Sequence, residues 1–201
     1  MFYRAVLAGL MISFGGIAYL SVGGVLGAAL FSVGLLSILH LNLDLFTGKA
    51  GRLATGDISV QSLSTILLGN LCGTFFMGFL CRNFLHISDA ACEIVLKRNN
   101  LEILEAIFLG VCCGMLMYIA TSNASTVLTI FCVTTFISCG FTHCIADSFY
   151  YALASEFSHP VPFIFTILGN IIGCNAIPLM LNKGSSKTIH ILQQKRGRNH
   201  E

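Results

Sequence analysis

The sequence predicts an all-α polytopic membrane protein with six transmembrane helices. Of its 201 residues, 55% are hydrophobic and only 10% are charged, and apolar runs long enough for one helical span recur along the whole chain. Because these runs use nearly all of the sequence, we expect a single transmembrane domain over residues 1–201. The predicted spans are residues 6–21, 25–46, 63–80, 104–122, 127–149 and 162–181.

The first run follows a positive residue, Arg4, as the apolar part of a signal peptide would. It is followed by five further spans and by no convincing small-residue cleavage site. We therefore interpret the first run as a retained helix.

The second run loses its helical pattern towards its end. Polar residues stand at every second position, at His40, Asn42 and Asp44, and a glycine-rich segment follows at 48–51. This pattern favours a chain that leaves helical geometry and needs protein or cavity water for its backbone groups. We expect the second span to break here. The alternative is an ordinary helix end at the membrane interface, which we prefer for His40.

The fifth run contains a histidine, in the stretch GFTHCIAD at 140–147. An imidazole at membrane depth is unfavourable unless it faces a cavity or a partner, so His143 is the leading candidate for a functional site. Gly140 lies in an apolar run longer than the ~20 residues that one span needs, and it allows the helix to break before the histidine. The alternative is a core histidine bonded to a neighbouring carbonyl.

Matching motifs divide the chain into two repeats, at about 1–85 and about 101–183. LLGNLCG in the third span matches ILGNIIG in the sixth, VLAG at 6–9 matches IFLG at 107–110, and LFTG at 45–48 stands where CGFTH stands in the second half. Three spans per repeat is an odd number, so the two halves must insert in opposite directions. Channels and transporters use this inverted-repeat plan and place their sites where the repeats meet.

Each repeat also contains a Gly-Asn pair. Glycine lets two helices come close, while asparagine offers two donors and an acceptor to the backbone of a broken neighbour or to the histidine itself. We expect Asn170 to contact His143 and Asn70 to lie beside Thr47. Plain packing of small and polar residues is the alternative.

Positive charge is distributed unevenly over the predicted loops. Six spans put both termini on one side with most of the Lys and Arg residues, and leave only Arg82, Lys97 and Arg98 on the other. The positive-inside rule then predicts a multi-pass protein of the cell membrane with cytoplasmic termini, including a basic tail at 184–201. The net charge of +2 is too small to indicate nucleic acid binding.

The nine cysteines are scattered, with no CxxC pair and no metal-ligand spacing. Most fall inside spans, where cysteine serves as a small apolar residue, so we predict no cofactor and no metal. A membrane redox or metal-binding protein with His and Cys ligands is the alternative from another functional class. A hydrolase is less favoured, because no nucleophile motif surrounds His143.

LDLFTG in the second span, EAIFLGVCCGMLMYIA in the fourth, GFTHCIAD in the fifth and LGNIIG in the sixth resemble the formate/nitrite transporter (FNT) family. The resemblance covers essentially the whole chain. It implies an aquaporin-like protomer within a homopentamer, one anion pore per protomer, and no enzymatic activity. The implied substrates are small monovalent anions of weak acids, chiefly formate, nitrite and hydrosulfide. A non-conducting relative is the alternative, since the segment at 47–70 is shorter than usual in the family.

The resemblance also assigns residues to the pore. The central histidine of the family falls on His143, the threonine of its broken second helix on Thr47, and the nearby asparagine on Asn170. Its vestibule lysine falls on Lys97 or the adjacent Arg98, and we prefer Lys97. The residues expected in the two hydrophobic constrictions, or lining the pore near them, are Phe31, Leu35, Leu45, Phe46, Phe136 and Met117.

We expect proton transfer to assist passage. A bare anion in a hydrophobic constriction carries a large desolvation cost, whereas the neutral acid carries far less. Lys97 would concentrate anions outside, and His143 with Thr47 would hydrogen-bond the substrate between the constrictions. Imidazole is suited to lending the proton because its unperturbed pKa, about 6.5, is the nearest to working pH among side chains.

Overall fold

The computed structural model describes residues 1–122 and 125–197, with side chains as far as Leu181, and every regular element in these residues is a helix. The predicted basic tail at 184–201 lies outside the side chains that the structure describes. The helices are α1 (Phe2–Val22), α2 (Gly24–Leu30), α3 (Ser32–His40), α4 (Phe46–Ala50), α5 (Val60–Phe84), α6 (Ser88–Asn99), α7 (Ile103–Ser122), α8 (Thr126–Ser138), α9 (Cys144–Ala154) and α10 (Val161–Gly197).

Four helices are long and apolar enough to cross a membrane: α1, α5, α7 and the Val161–Leu181 part of α10. They contain the first, third, fourth and sixth predicted spans. The other two predicted spans are divided between shorter helices, since 25–46 covers α2, α3 and the start of α4, and 127–149 covers α8 and part of α9. The long helices carry apolar side chains outwards, as a protein surrounded by lipid requires.

Glycines bring α1 against α5 and α7 against α10. A Cβ atom at Gly114 would lie 2.5 Å from the carbonyl oxygen of Asn170, and one at Gly9 would lie closer still to the carbonyl oxygen of Asn70. Neither position accepts a side chain unless the helices separate. Gly114 is therefore the counterpart of Gly9, because each packs against the carbonyl of the corresponding asparagine. The motif match of Gly9 to Gly110 is wrong by four residues.

Two non-helical segments follow the same backbone course. We name residues 41–45, between α3 and α4, the first connector, and residues 139–143, between α8 and α9, the second connector. The second residue of each connector is left-handed: Asn42 has φ 52° and Gly140 has φ 70°. The N–H of the next residue donates to the carbonyl five residues earlier, at 2.9 Å in the first connector and 3.0 Å in the second. This pattern is a Schellman motif, which glycine and asparagine favour because they tolerate positive φ.

One helix was not foreseen. The predicted spans left residues 81–103 as a loop, but residues 88–99 form α6, which packs against α9. Its buried residues are Ala91 and Val95. Lys97 and Arg98, in its last turn, are therefore held at fixed positions on a helix.

Candidate pore site

His143 is the N-cap of α9 and is 1% exposed. Its Nδ1 accepts a hydrogen bond from the N–H of Ala146 at 3.1 Å, and its Nε2 lies 2.9 Å from Oγ1 of Thr47. Because a backbone N–H can only donate, Nδ1 is the unprotonated nitrogen and the proton of the neutral ring is on Nε2. The imidazole therefore donates to the Thr47 hydroxyl, whose own hydrogen is then directed elsewhere.

Thr47 is held by α10. It lies in α4, is 1% exposed, and its carbonyl accepts a hydrogen bond from Sγ of Cys174 at 3.2 Å. Asn175, one residue further along α10, donates to the carbonyl of Ala50 at 2.9 Å and accepts from the N–H of Ala54 at 2.8 Å. A helix as short as α4 has little stability of its own, so these contacts fix the position of the threonine.

Asn170 fixes the backbone around His143. Its Oδ1 accepts from the N–H of Cys144, and its Nδ2 donates to the carbonyls of Thr142 and Gly110, all at 2.9 Å. We expected Asn170 to contact the histidine, and the structure corrects this: its bonds go to the peptide groups on either side of His143 and not to the ring. The side chain that hydrogen-bonds the ring is therefore Thr47 and not Asn170.

Asn70 makes the same three bonds at the first connector. Its Oδ1 accepts from the N–H of Phe46 at 2.8 Å, and its Nδ2 donates to the carbonyls of Asp44 and Ala5 at 2.9 and 2.7 Å. Leu45 therefore occupies the place that His143 occupies in the second connector. The match of LFTG to CGFTH is shifted accordingly, because the hydrogen bonds pair the leucine with the histidine.

Two of the predicted constriction residues, Phe136 and Phe31, form an aromatic cluster with His143. The ring of Phe136 stacks on the imidazole of His143 with centroids 5.6 Å apart, and Phe31 meets Phe136 edge-on at 6.0 Å. Apolar rings thus cover the imidazole on one side. All six predicted residues are 2% exposed or less: Phe31, Leu35, Leu45, Phe46, Phe136 and Met117.

A cavity of about 220 Å³, which we name the α6 cavity, reaches His143. Its lining includes Phe136, Asp147, Lys97 and Arg98. Lys97 is exposed, whereas Arg98 is partly buried and bonded to Asp147. Two cations against one carboxylate make this cavity attractive to anions.

A second cavity of about 340 Å³, the α4 cavity, reaches Leu45 and the segment beside Thr47. Its lining includes Arg4, Lys49 and Arg52. The carboxylate of Asp44 lies 3.7 Å from Nε of Arg4 and 3.4 Å from Nζ of Lys49. This cavity, too, carries more positive than negative charge, so it is also attractive to anions. His143 lines the α6 cavity, and Gly48, the neighbour of Thr47, lines the α4 cavity.

Sequence reasoning missed the pairing of Arg98 with Asp147. The two residues are 49 positions apart, and Nε of Arg98 lies 3.2 Å from Oδ1 of Asp147. In the sequence, Asp147 is only the last residue of the stretch at 140–147. With α6 unrecognised, nothing placed a guanidinium beside it.

No three His, Cys, Asp or Glu side chains in the described part of the chain group as metal ligands. Apolar helices, a buried polar pair and two cation-lined cavities instead define a membrane transport protein. The sequence model described as "Formate/nitrite transporter" matches residues 1–183. The chain therefore belongs to the formate/nitrite transporter family, as its motifs indicated.

Two solved structures share this fold. One is described as "Pentameric formate channel with formate bound"; it has a TM-score of 0.67 and 22% identity, and the match covers 95% of this chain and 96% of that one. The other, an "FNT family ion channel", has a TM-score of 0.76 and 19% identity, with 92% and 89% covered. No curated protein sequence matches the chain. The family and these structures are channels and transporters, not enzymes.

Proposed function

We propose that this chain is a channel or transporter for small monovalent anions of weak acids, in which His143 assists proton-coupled passage between two hydrophobic constrictions. The observation that carries the proposal is the buried bond between His143 and Thr47, with one cation-lined cavity reaching His143 and another lined by Gly48, the neighbour of Thr47. Formate is the first substrate to test, because one similar structure is described as holding it. Nitrite and hydrosulfide have the same charge and are also small.

In this proposal the connectors are breaks in two transmembrane helices. Helices α2 to α4 form the second span and α8 with α9 form the fifth, which completes six spans in two inverted repeats of an aquaporin-like protomer. The shared Schellman motifs and the shared asparagine bonds support this symmetry. Both termini would be cytoplasmic. A homopentamer is the proposed assembly, since one similar structure is described as pentameric.

The cavities would concentrate the anion before it meets the constriction. On one side Lys97 is the proposed vestibule cation, since Arg98 is engaged by Asp147. Close to the imidazole, the Thr47 hydroxyl is the donor available to an anion that has lost its water, because Nε2–H already donates to Thr47.

The hydrogen bonds of His143 define what a proton transfer requires. A second proton on the ring, which solvent in the α6 cavity would supply, must be placed on Nδ1, where it would face the N–H of Ala146, and two donors cannot bond. The imidazolium must therefore turn out of its cap towards the pore. There, Nδ1–H gives its proton to the anion, which leaves as the neutral acid. The neutral ring, still protonated on Nε2, then returns to the cap.

Uptake into proteoliposomes tests the proposal. Formate, nitrite and hydrosulfide are compared across a pH series for the unmodified chain, His143→Ala and His143→Gln. We expect uptake by the unmodified chain that rises as the pH falls, almost none by His143→Ala, and residual uptake without the pH response by His143→Gln, whose amide still donates. Unchanged flux and pH response in both variants would refute the role of the histidine.

A further inference from the structure

Arg98 reaches from the last turn of α6 to the second connector. Its Nη1 donates to the carbonyl of Gly140 at 2.7 Å, its Nη2 to the carbonyl of Phe141 at 3.3 Å, and its Nε to Oδ1 of Asp147 at 3.2 Å. All three guanidinium nitrogens are thus committed to the protein. The side chain is 16% exposed, and that of Asp147 only 2%.

These three contacts enclose His143. Gly140 and Phe141 precede it in the connector, and Asp147 follows it by one turn of α9. Carbonyls in a non-helical segment have lost their helical partners and need others when buried. Arg98 supplies partners for two successive carbonyls, and Asn170 supplies one for the carbonyl that follows.

The first connector has a different arrangement. There, Arg4 and Lys49 approach the carboxylate of Asp44, and no guanidinium donates to a connector carbonyl among the residues whose side chains are described. That connector presents Leu45, which makes no side-chain cap bond. The arginine contacts therefore occur at the connector that must orient a polar ring.

We infer that Arg98 is a positioning residue for His143: it holds the second connector so that Nε2 stays on Thr47, and Asp147 is its counter-ion. This inference rests on the proposed role of His143 in transport. It gives two adjacent cations different roles: Lys97 attracts the anion, and Arg98 orients His143. The shape of the guanidinium, and not its charge alone, is what the connector uses.

The test compares Arg98→Lys with Arg82→Lys, a matched change in an arginine that bonds Ser155 and lies outside both cavities. Formate uptake in proteoliposomes gives the maximal rate and the half-saturating concentration. We expect Arg98→Lys to lower the maximal rate at least about tenfold, as loss of a supporting contact does, with little change in half-saturation. Lys97→Gln should instead raise the half-saturating concentration. Arg82→Lys should change neither.

A second readout does not depend on transport. In protein labelled with ¹⁵N-histidine, the signals of His143 are those that disappear in His143→Gln. We expect them to show a bare Nδ1 and a protonated Nε2 in the unmodified chain and in Arg82→Lys, but a mixture of tautomers in Arg98→Lys. An unchanged tautomer together with an unchanged maximal rate in Arg98→Lys would overturn the inference.

The two readouts also distinguish this inference from the proposed function. If the unmodified chain transports nothing but Arg98→Lys alters the tautomer, positioning by Arg98 holds and the proposed function fails. Should Arg98→Lys not fold, Asp147→Asn carries the test, because it removes the counter-ion and keeps the shape of the side chain. A tautomer mixture in Asp147→Asn supports the inference, and an unaltered His143 spectrum contradicts it.

Discussion

The first and second connectors end a helix with the same hydrogen bonds, and an asparagine holds each from the side. They differ in the residue that precedes the next helix. Leu45 makes no side-chain cap bond at α4, whereas His143 caps α9 and contacts Thr47. The comparison teaches that the two connectors share their hydrogen-bonded backbone and differ in the chemistry of one side chain. One connector supplies a polar ring, and the other supplies the helix that carries its partner.

The largest expected effect comes from making the second connector resemble the first. His143→Leu should lower formate uptake by about a hundredfold or more, the scale on which a proton-transferring group contributes. The protein should still fold, because a lost helix cap costs about 1 kcal/mol. His40→Leu is the matched control, since His40 is exposed at the end of α3 and should leave uptake unchanged. Full uptake by His143→Leu would show that the two connectors are chemically equivalent.

Removal of the asparagines tests whether the two scaffolds are equally important. Asn170→Ala and Asn70→Ala each leave one N–H and two carbonyls without their partner, so each should lower the free energy of unfolding by about 3–6 kcal/mol. Denaturation in detergent micelles measures this. A small loss for Asn70→Ala beside a large one for Asn170→Ala would mean that the first connector has other supports.

The glycine contacts should contribute somewhat less. Gly114→Ala and Gly9→Ala each place a methyl group inside van der Waals contact of an opposing carbonyl, which should cost about 1–3 kcal/mol of stability. Thermal unfolding of the purified protein gives the values. A double variant tests the pairing: because the two sites belong to separate helix pairs, the losses should add. Strong non-additivity would argue against two independent contacts.

The smallest effects concern the left-handed residues. A Cβ at Gly140 would meet nothing within 4 Å, so Gly140→Ala should lose only the conformational term of about 1 kcal/mol. Asn42→Gly should change the stability by less, about 0.5 kcal/mol or under, because asparagine already tolerates this geometry. Unfolding midpoints of both variants, measured side by side, check the order. A larger loss for Asn42→Gly would assign its side chain a role beyond the turn.

Composition and motifs were sufficient to predict the class of protein and the family, because hydropathy and short sequence motifs can be read from the chain alone. The register of the repeats was not predictable in the same way. Leu45 and His143 have nothing in common as letters, and only the bonds of Asn70 and Asn170 pair them. Motif matching aligned Gly9 with Gly110, whereas the helix contacts show that Gly114 is the counterpart of Gly9.

The sequence named His143, Thr47, Asn170 and Lys97, and the structure shows how the first three are related in space. The sequence could not show which partner Asn170 bonds, since an asparagine amide can hydrogen-bond a ring or a peptide group equally well. Helix α6 escaped notice because it is short and carries charges. Its interaction with the second connector depends on tertiary packing, which no local pattern reports.

The most direct test of the central claim is a double-mutant cycle on formate uptake with His143→Gln, Thr47→Val and the two combined. If the two side chains act as one site, each single change should slow uptake, and the double variant should be little slower than the slower single one. If instead the two effects multiply, the residues act independently, and the hydrogen bond between them is not needed for transport of the anion.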